Sequence, residues 1–153
     1  MADINYPGTL PDFKLGKQRT EQQTYRVSEP FAGQPFTEFV SDDSPVIWRV
    51  TIDCVGSIQA RQFQQFIKYV AGGVPFNKNI LTENGHIEHE VKFLEMPLEP
   101  TQTSTNVWQY SGVIFATTLI NPDDDIDNPE LIFEWLDQAS ILDIAINDSW
   151  PLA

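Results

Sequence analysis

Residues 46–55 alternate with the two-residue period of a strand. Trp48, Val50, Ile52 and Cys54 take one face, and Ile47, Arg49, Thr51 and Asp53 take the other. The pattern predicts one buried face and one face that is wet or at an interface. After Gly56-Ser57 the period changes. Phe63, Phe66, Ile67 and Val70 recur at i, i+3, i+4 and i+7, which predicts a helix over about 58–71 buried on one side. Ser57 is the expected N-cap, and Gly72-Gly73 followed by Pro75 is the expected stop. Arg61, Gln62, Gln64, Gln65 and Lys68 fill the solvent side of that helix. A second strand is expected over 86–96, with Ile87, His89, Val91, Phe93 and Glu95 sharing one face. A third is expected over 107–120, with Gly112 as a candidate bulge. A polar loop of about ten residues joins these two, which predicts an antiparallel pair.

The flanks read differently. Residues 1–45 are punctuated by prolines and glycines and studded with Tyr6, Phe13, Tyr25, Phe31, Phe36 and Phe39. Aromatics at this density are unlike a flexible linker, so the segment is expected to pack on its own core or on a neighbour. A short extended piece is expected near Thr24–Val27. Residues 121–153 form an acidic annex in which Asn128-Pro129-Glu130 starts a helix, with Leu131, Ile132, Trp135, Leu136 and Ala139 on one stripe. The expected fold class is therefore α+β: a mainly antiparallel β-sheet with one helix packed on a face, plus an acidic C-terminal helical annex. The expected divisions are an arm over 1–45, a strand-helix-strand-strand core over 46–120 and the annex over 121–153.

Composition narrows the function classes. The chain has 153 residues, enough for one domain with a core, and 41% hydrophobic against 20% charged residues fits a globular protein. The net charge of −13 disfavours nonspecific contact with nucleic acid or anionic membrane. No apolar run approaches the roughly 20 residues of a membrane span, and no secretory signal is expected at the start. A single Cys, Cys54, excludes an internal disulfide and behaves as a small buried hydrophobe. The charge is also segregated. All nine basic residues precede position 93, where they face eleven acids, whereas the remaining residues carry eleven acids and no base.

Candidate chemistry is sparse. Asp123, Asp125, Asp127 and Glu134 match positions 1, 3, 5 and 12 of a calcium loop, which makes them a candidate metal set. Position 6 is Asn128 where Gly is needed, position 7 is Pro129, and the preceding residues are strand-like. An acidic turn before a helix N-terminus explains the same residues. His86 and His89 lie three apart, so on a strand they face opposite sides and are expected at the surface, not on one metal. Gly72-Gly73 follows a helix and does not precede one, so it is a C-cap and not a phosphate loop. No catalytic set and no cofactor site is expected. Lys14, Lys17 and Arg19 form a basic cluster in the arm. Together with Phe31 and Phe36, and with the acids Asp123, Asp124 and Asp125, they are the candidate assembly residues: the arm of one copy would meet the annex of the next in a heterologous, ring-forming contact.

The order of features resembles that of small tail-structure proteins of tailed bacteriophages. The resemblance is carried by Tyr6-Pro7 and Leu10-Pro11, then Lys17-Gln18-Arg19, then a strand. A helix with Phe63-Gln64-Gln65-Phe66 follows, running into Gly72-Gly73-Val74-Pro75-Phe76. A closing pair of strands lies near Val91-Lys92-Phe93 and residues 107–119. It spans about residues 6–120 and omits the acidic annex. What it implies is a virion structural protein and not an enzyme, a multicopy component of the tail or of its attachment to the head. The implied partners are copies of itself and other tail or connector proteins. The rival expectations are a small acidic calcium- or ligand-binding module, an enzyme of unrecognised type and an acidic mimic of DNA.

Overall fold

The computed structural model describes residues 1–41 and 44–122. Its elements run β1 (Gln18–Glu21), β2 (Tyr25–Ser28), β3 (Phe36–Phe39), β4 (Val46–Val55), α1 (Gly56–Tyr69), β5 (Phe76–Thr82), β6 (Gly85–Glu95), β7 (Thr101–Ser104) and β8 (Val107–Ala116). Six strands form one sheet in the order β1-β4-β8-β6-β5, with β7 also on β8, and every pairing in it is antiparallel. β2 and β3 form a separate two-stranded sheet.

The alternation in β4 sets the core. Val46, Trp48, Val50, Ile52 and Cys54 are buried, and their register partners on β8 are Ala116, Ile114, Gly112, Tyr110 and Trp108. α1 covers this face, because Ala60, Phe63, Phe66 and Ile67 fall on its buried side. The ring of Phe63 meets Tyr110 edge-on at 4.8 Å, and Phe66 meets Phe76 at 5.3 Å. Full burial of such a side chain contributes about 2 kcal/mol.

The start of α1 and the strand around Gly112 each correct an expectation. The helix starts at Gly56, and its N-cap is Val55, which makes no side-chain cap, so Ser57 lies inside the first turn. The start is held otherwise. Gly56 takes a positive φ of 83°, its N–H donates to the Asn106 carbonyl at 2.8 Å, and the Val55 N–H donates to Gln59 Oε1 at 2.8 Å. Gly72 and Gly73 both have positive φ just past the C-cap Val70, as a helix stop requires. Gly112 is not a bulge, since β4 and β8 pair without interruption across it. A Cβ there would lie 3.0 Å from the Glu95 carbonyl oxygen and 3.3 Å from Pro97 Cδ. The irregularity lies opposite, between Phe93 and Glu95 of β6.

The expected arm of residues 1–45 divides in two. Its first part belongs to the folded body. Asn5 bridges Asn77 of β5 in parallel, Phe13 bridges Ile52 of β4, and β1 extends the sheet along β4. Leu10 and Phe13 are buried, and the rings of Tyr6 and Phe66 meet at 5.2 Å. Two polar residues of β5 tie the segment down. Asn77 Oδ1 accepts from the Ala2 N–H at 3.0 Å, while its Nδ2 donates to the Ala2 carbonyl at 2.7 Å and to Asn5 Oδ1 at 2.9 Å. Lys78 Nζ sits 2.7 Å from Asp12 Oδ1 and 4.2 Å from the centre of the Tyr6 ring. Burial opposes ionisation of Asp12, but the Lys78 ammonium and the Phe13 N–H outweigh it and hold the carboxyl below its ordinary range.

His89 is a buried residue, not a surface one. It shares the inner face of β6 with Val91 and Phe93 and stacks edge-on against Trp48 at 5.4 Å. Nε2 accepts from the Ile120 N–H at 3.2 Å, so Nδ1 carries the proton and donates to the Ile87 carbonyl at 2.9 Å. Burial pushes its pKa below the usual 6.5, against the smaller opposite pull of the Ile87 carbonyl. Cys54 is fully buried, and burial raises its thiol to about 11.

Three outcomes follow from this packing. Asn77→Ala orphans the Ala2 groups and lowers unfolding free energy by about 2 kcal/mol in urea titration, with Lys78 and the sheet intact. For His89, the folded state holds fewer protons than the unfolded state between its depressed pKa and 6.5. Its stabilisation is complete above that upper limit and is lost as pH falls through the folded value. The melting temperature should drop between about pH 7 and pH 5, and His89→Gln should flatten that part of the curve. Cys54 should stay unreactive toward a thiol reagent in native protein and react fully in denaturant.

Candidate functional site

The second part of the expected arm leaves the body. β1 and β4 pair from Gln18–Arg49 to Glu21–Val46, and the chain between them runs outward as a hairpin. Its neck is closed by the Gln22 N–H on the Pro45 carbonyl at 3.1 Å and by Ser44 Oγ on the Gln22 carbonyl at 3.0 Å. Beyond it the Thr24 carbonyl accepts from Val40 N–H at 2.9 Å. β2 and β3 then pair in the register Tyr25–Phe39, Arg26–Glu38, Val27–Thr37 and Ser28–Phe36. Pro30 and Pro35 bracket the turn that carries Phe31 and Gly33, the latter at φ 113°.

This hairpin is unusual in what it leaves uncovered. Among the described strands and helix, β2 and β3 pack only on each other. The register puts Tyr25, Val27, Thr37 and Phe39 on one face, and Phe36 on the other. Tyr25, Val27, Phe36, Phe39 and Val40 are exposed, and Phe31 at the turn is fully so. An isolated two-stranded hairpin is marginal in water, and a contiguous exposed apolar surface marks a contact site.

The basic cluster is engaged within the subunit. Lys14 Nζ lies 2.7 Å from Asp53 Oδ2, and that contact, helped by Gln109, holds the Asp53 carboxyl below its usual range. Arg19 grips Glu83 with two guanidinium nitrogens and also meets Glu21 at 2.9 Å. The hydrogen bond from Arg19 is the main cause that lowers the Glu83 pKa. Arg19 therefore ties β1 to the turn between β5 and β6. Lys17 is half-buried beside Asp12, whose carboxylate it helps to keep ionised. Phe31 and Phe36 lie on the hairpin, so the structure separates them from the three cations.

Asp123, Asp124, Asp125, Asp127 and Glu134 lie outside the described residues, as does the stretch in which the annex helix was expected. Among the described residues no cluster of His, Cys, Asp and Glu could hold a metal, and no helix is long and apolar enough to cross a membrane.

The solvent side expected for the helix forms a second surface, and the groove beside it was not anticipated. Arg61, Gln64, Gln65 and Lys68 recur at helical spacing on the outward side of α1. Beside them a groove is lined by Ile67, Pro97, Leu98, Pro100 and Tyr110, with Leu98 well exposed at its rim. Neither Arg61 nor Lys68 has an ion-pair partner among the described residues. The signal for this surface was the absence of any Asp or Glu between Cys54 and Thr82.

No protein-family model matches the chain, and no curated protein matches it. Among solved structures, it is similar to a chain in a structure described as the tail of an empty GTA particle, computed with helical refinement and C6 symmetry. That similarity has 7% sequence identity and a TM-score of 0.42, and it covers 72% of this chain and 81% of the other.

Proposed function

We propose that this chain is a structural, multicopy component of a bacteriophage tail or of the joint between tail and head, working by self-assembly and not by catalysis. The observation that carries the reading is the β2–β3 hairpin. It projects from the body on a closed neck, exposes aromatics on both faces, and packs on no other described element. Such a device gains stability only when a neighbour covers it. The resemblance in feature order to tail-structure proteins supplies the particle, and with it tail or connector proteins as further neighbours. Ring formation fits a chain whose projecting part and body differ, because unlike surfaces in contact give heterologous assembly.

Light scattering of the purified protein at low and high salt tests this reading. A discrete assembly of several copies is expected. Deleting residues 24–40 and joining the neck with a short turn should reduce it to a monomer that keeps the melting transition of the body. A wild-type monomer at all concentrations and both salt levels overturns the self-assembling reading.

A further inference from the structure

The hairpin and the outward side of α1 are complementary. Between Gln23 and Pro45 the chain carries Glu29, Glu38, Asp42 and Asp43 against a single base, Arg26, which lies opposite Glu38 in the register of β2 and β3. Between Cys54 and Thr82 it carries Arg61, Lys68 and Lys78 and no acid. Lys78 is consumed inside the body by Asp12, which leaves Arg61 and Lys68 on the helix surface without a carboxylate among the described residues. Each surface also offers an apolar element without a mate. The tip has Phe31, fully exposed, and the helix side has the groove of Ile67, Pro97, Leu98, Pro100 and Tyr110.

Within one subunit the two do not meet, since neither β2 nor β3 packs on α1. We propose that the hairpin of one copy docks on α1 of a second copy, with Phe31 seated against Leu98 and Pro100 and Glu29 facing Lys68. This names the partner surface for the self-assembly proposed above and rests on that reading. Because donor and acceptor are different patches, every docked copy still offers one of each. The contact therefore propagates until a ring closes. Opposed charges direct the encounter and fix its register, while the apolar seat holds it.

A double-cysteine variant, Phe31→Cys with Leu98→Cys, tests the geometry. Buried Cys54 does not compete for the disulfide. Mild oxidation should yield a reducible ladder of dimers, trimers and higher species on a non-reducing gel. Each single variant should stay uncrosslinked, because in this docking its cysteine meets no second thiol. An internally crosslinked monomer would mean that the hairpin folds onto its own helix, and absence of any crosslink would mean that it docks elsewhere; either overturns the proposal. In parallel, Glu29→Lys and Lys68→Glu should each weaken association about fivefold at low salt, and the two together in one chain should restore it. Association unchanged by either reversal also counts against the pairing. A wild-type assembly without a ladder defeats this docking and leaves the structural reading intact, whereas a wild-type monomer defeats that reading itself.

Discussion

The fold depends on a stitch between the first residues of the chain and the far edge of its sheet. Asn77 uses both ends of its amide on residues 2 and 5, and Lys78 beside it holds Asp12. Without that tie, β5 would be an open edge with unpaired backbone groups, a template for unwanted pairing. With it, residues 4–13 lie across the buried face, and Tyr6, Leu10 and Phe13 become part of the core. Lys78 is a costly choice for a site so nearly enclosed. The carboxylate of Asp12 and the faces of Tyr6 and Phe13 offset the cost by receiving the charge from different sides.

The same closure determines where the hairpin stands. Once residues 4–13 have crossed the body, the chain enters β1 along β4 and is gripped at Arg19 by Glu83. The hairpin is thus anchored at β1, the opposite end of the strand order from β5. Two of the cations that sequence reasoning set aside for a neighbour, Lys14 and Arg19, take part in this anchoring. Lys14 pins the entry to β1 on Asp53, and Arg19 pins β1 itself.

Much of this was legible. β4 and α1 each have one dry side and one wet side, so their periods appear cleanly in the residues. The antiparallel relation of β6 and β8 followed from the polar loop between them, although that loop holds the short β7. β5 was missed because Asn77 and Lys78 interrupt its apolar pattern, and their reason for being there lies some seventy residues upstream. His89 was misplaced although its parity with Ile87, Val91 and Phe93 was visible. A histidine on a buried face signals a polar partner inside, here the Ile120 N–H. The extended piece near Thr24 was anticipated, but its mate Phe36–Phe39 was not, since pairing across a proline-bracketed turn leaves no periodic trace.

The way the hairpin is rooted has a mechanical consequence. The hairpin springs from β1 and β4, and β4 is also paired along its whole length with β8. Where tension from the tip pulls along β4, it runs across the hydrogen bonds of that strand. The bonds between β4 and β8 would then be loaded together in shear instead of being peeled one at a time. A pull on a neighbouring copy would be transmitted into the best-packed strand of the domain, so the projecting element and the core would yield as one body.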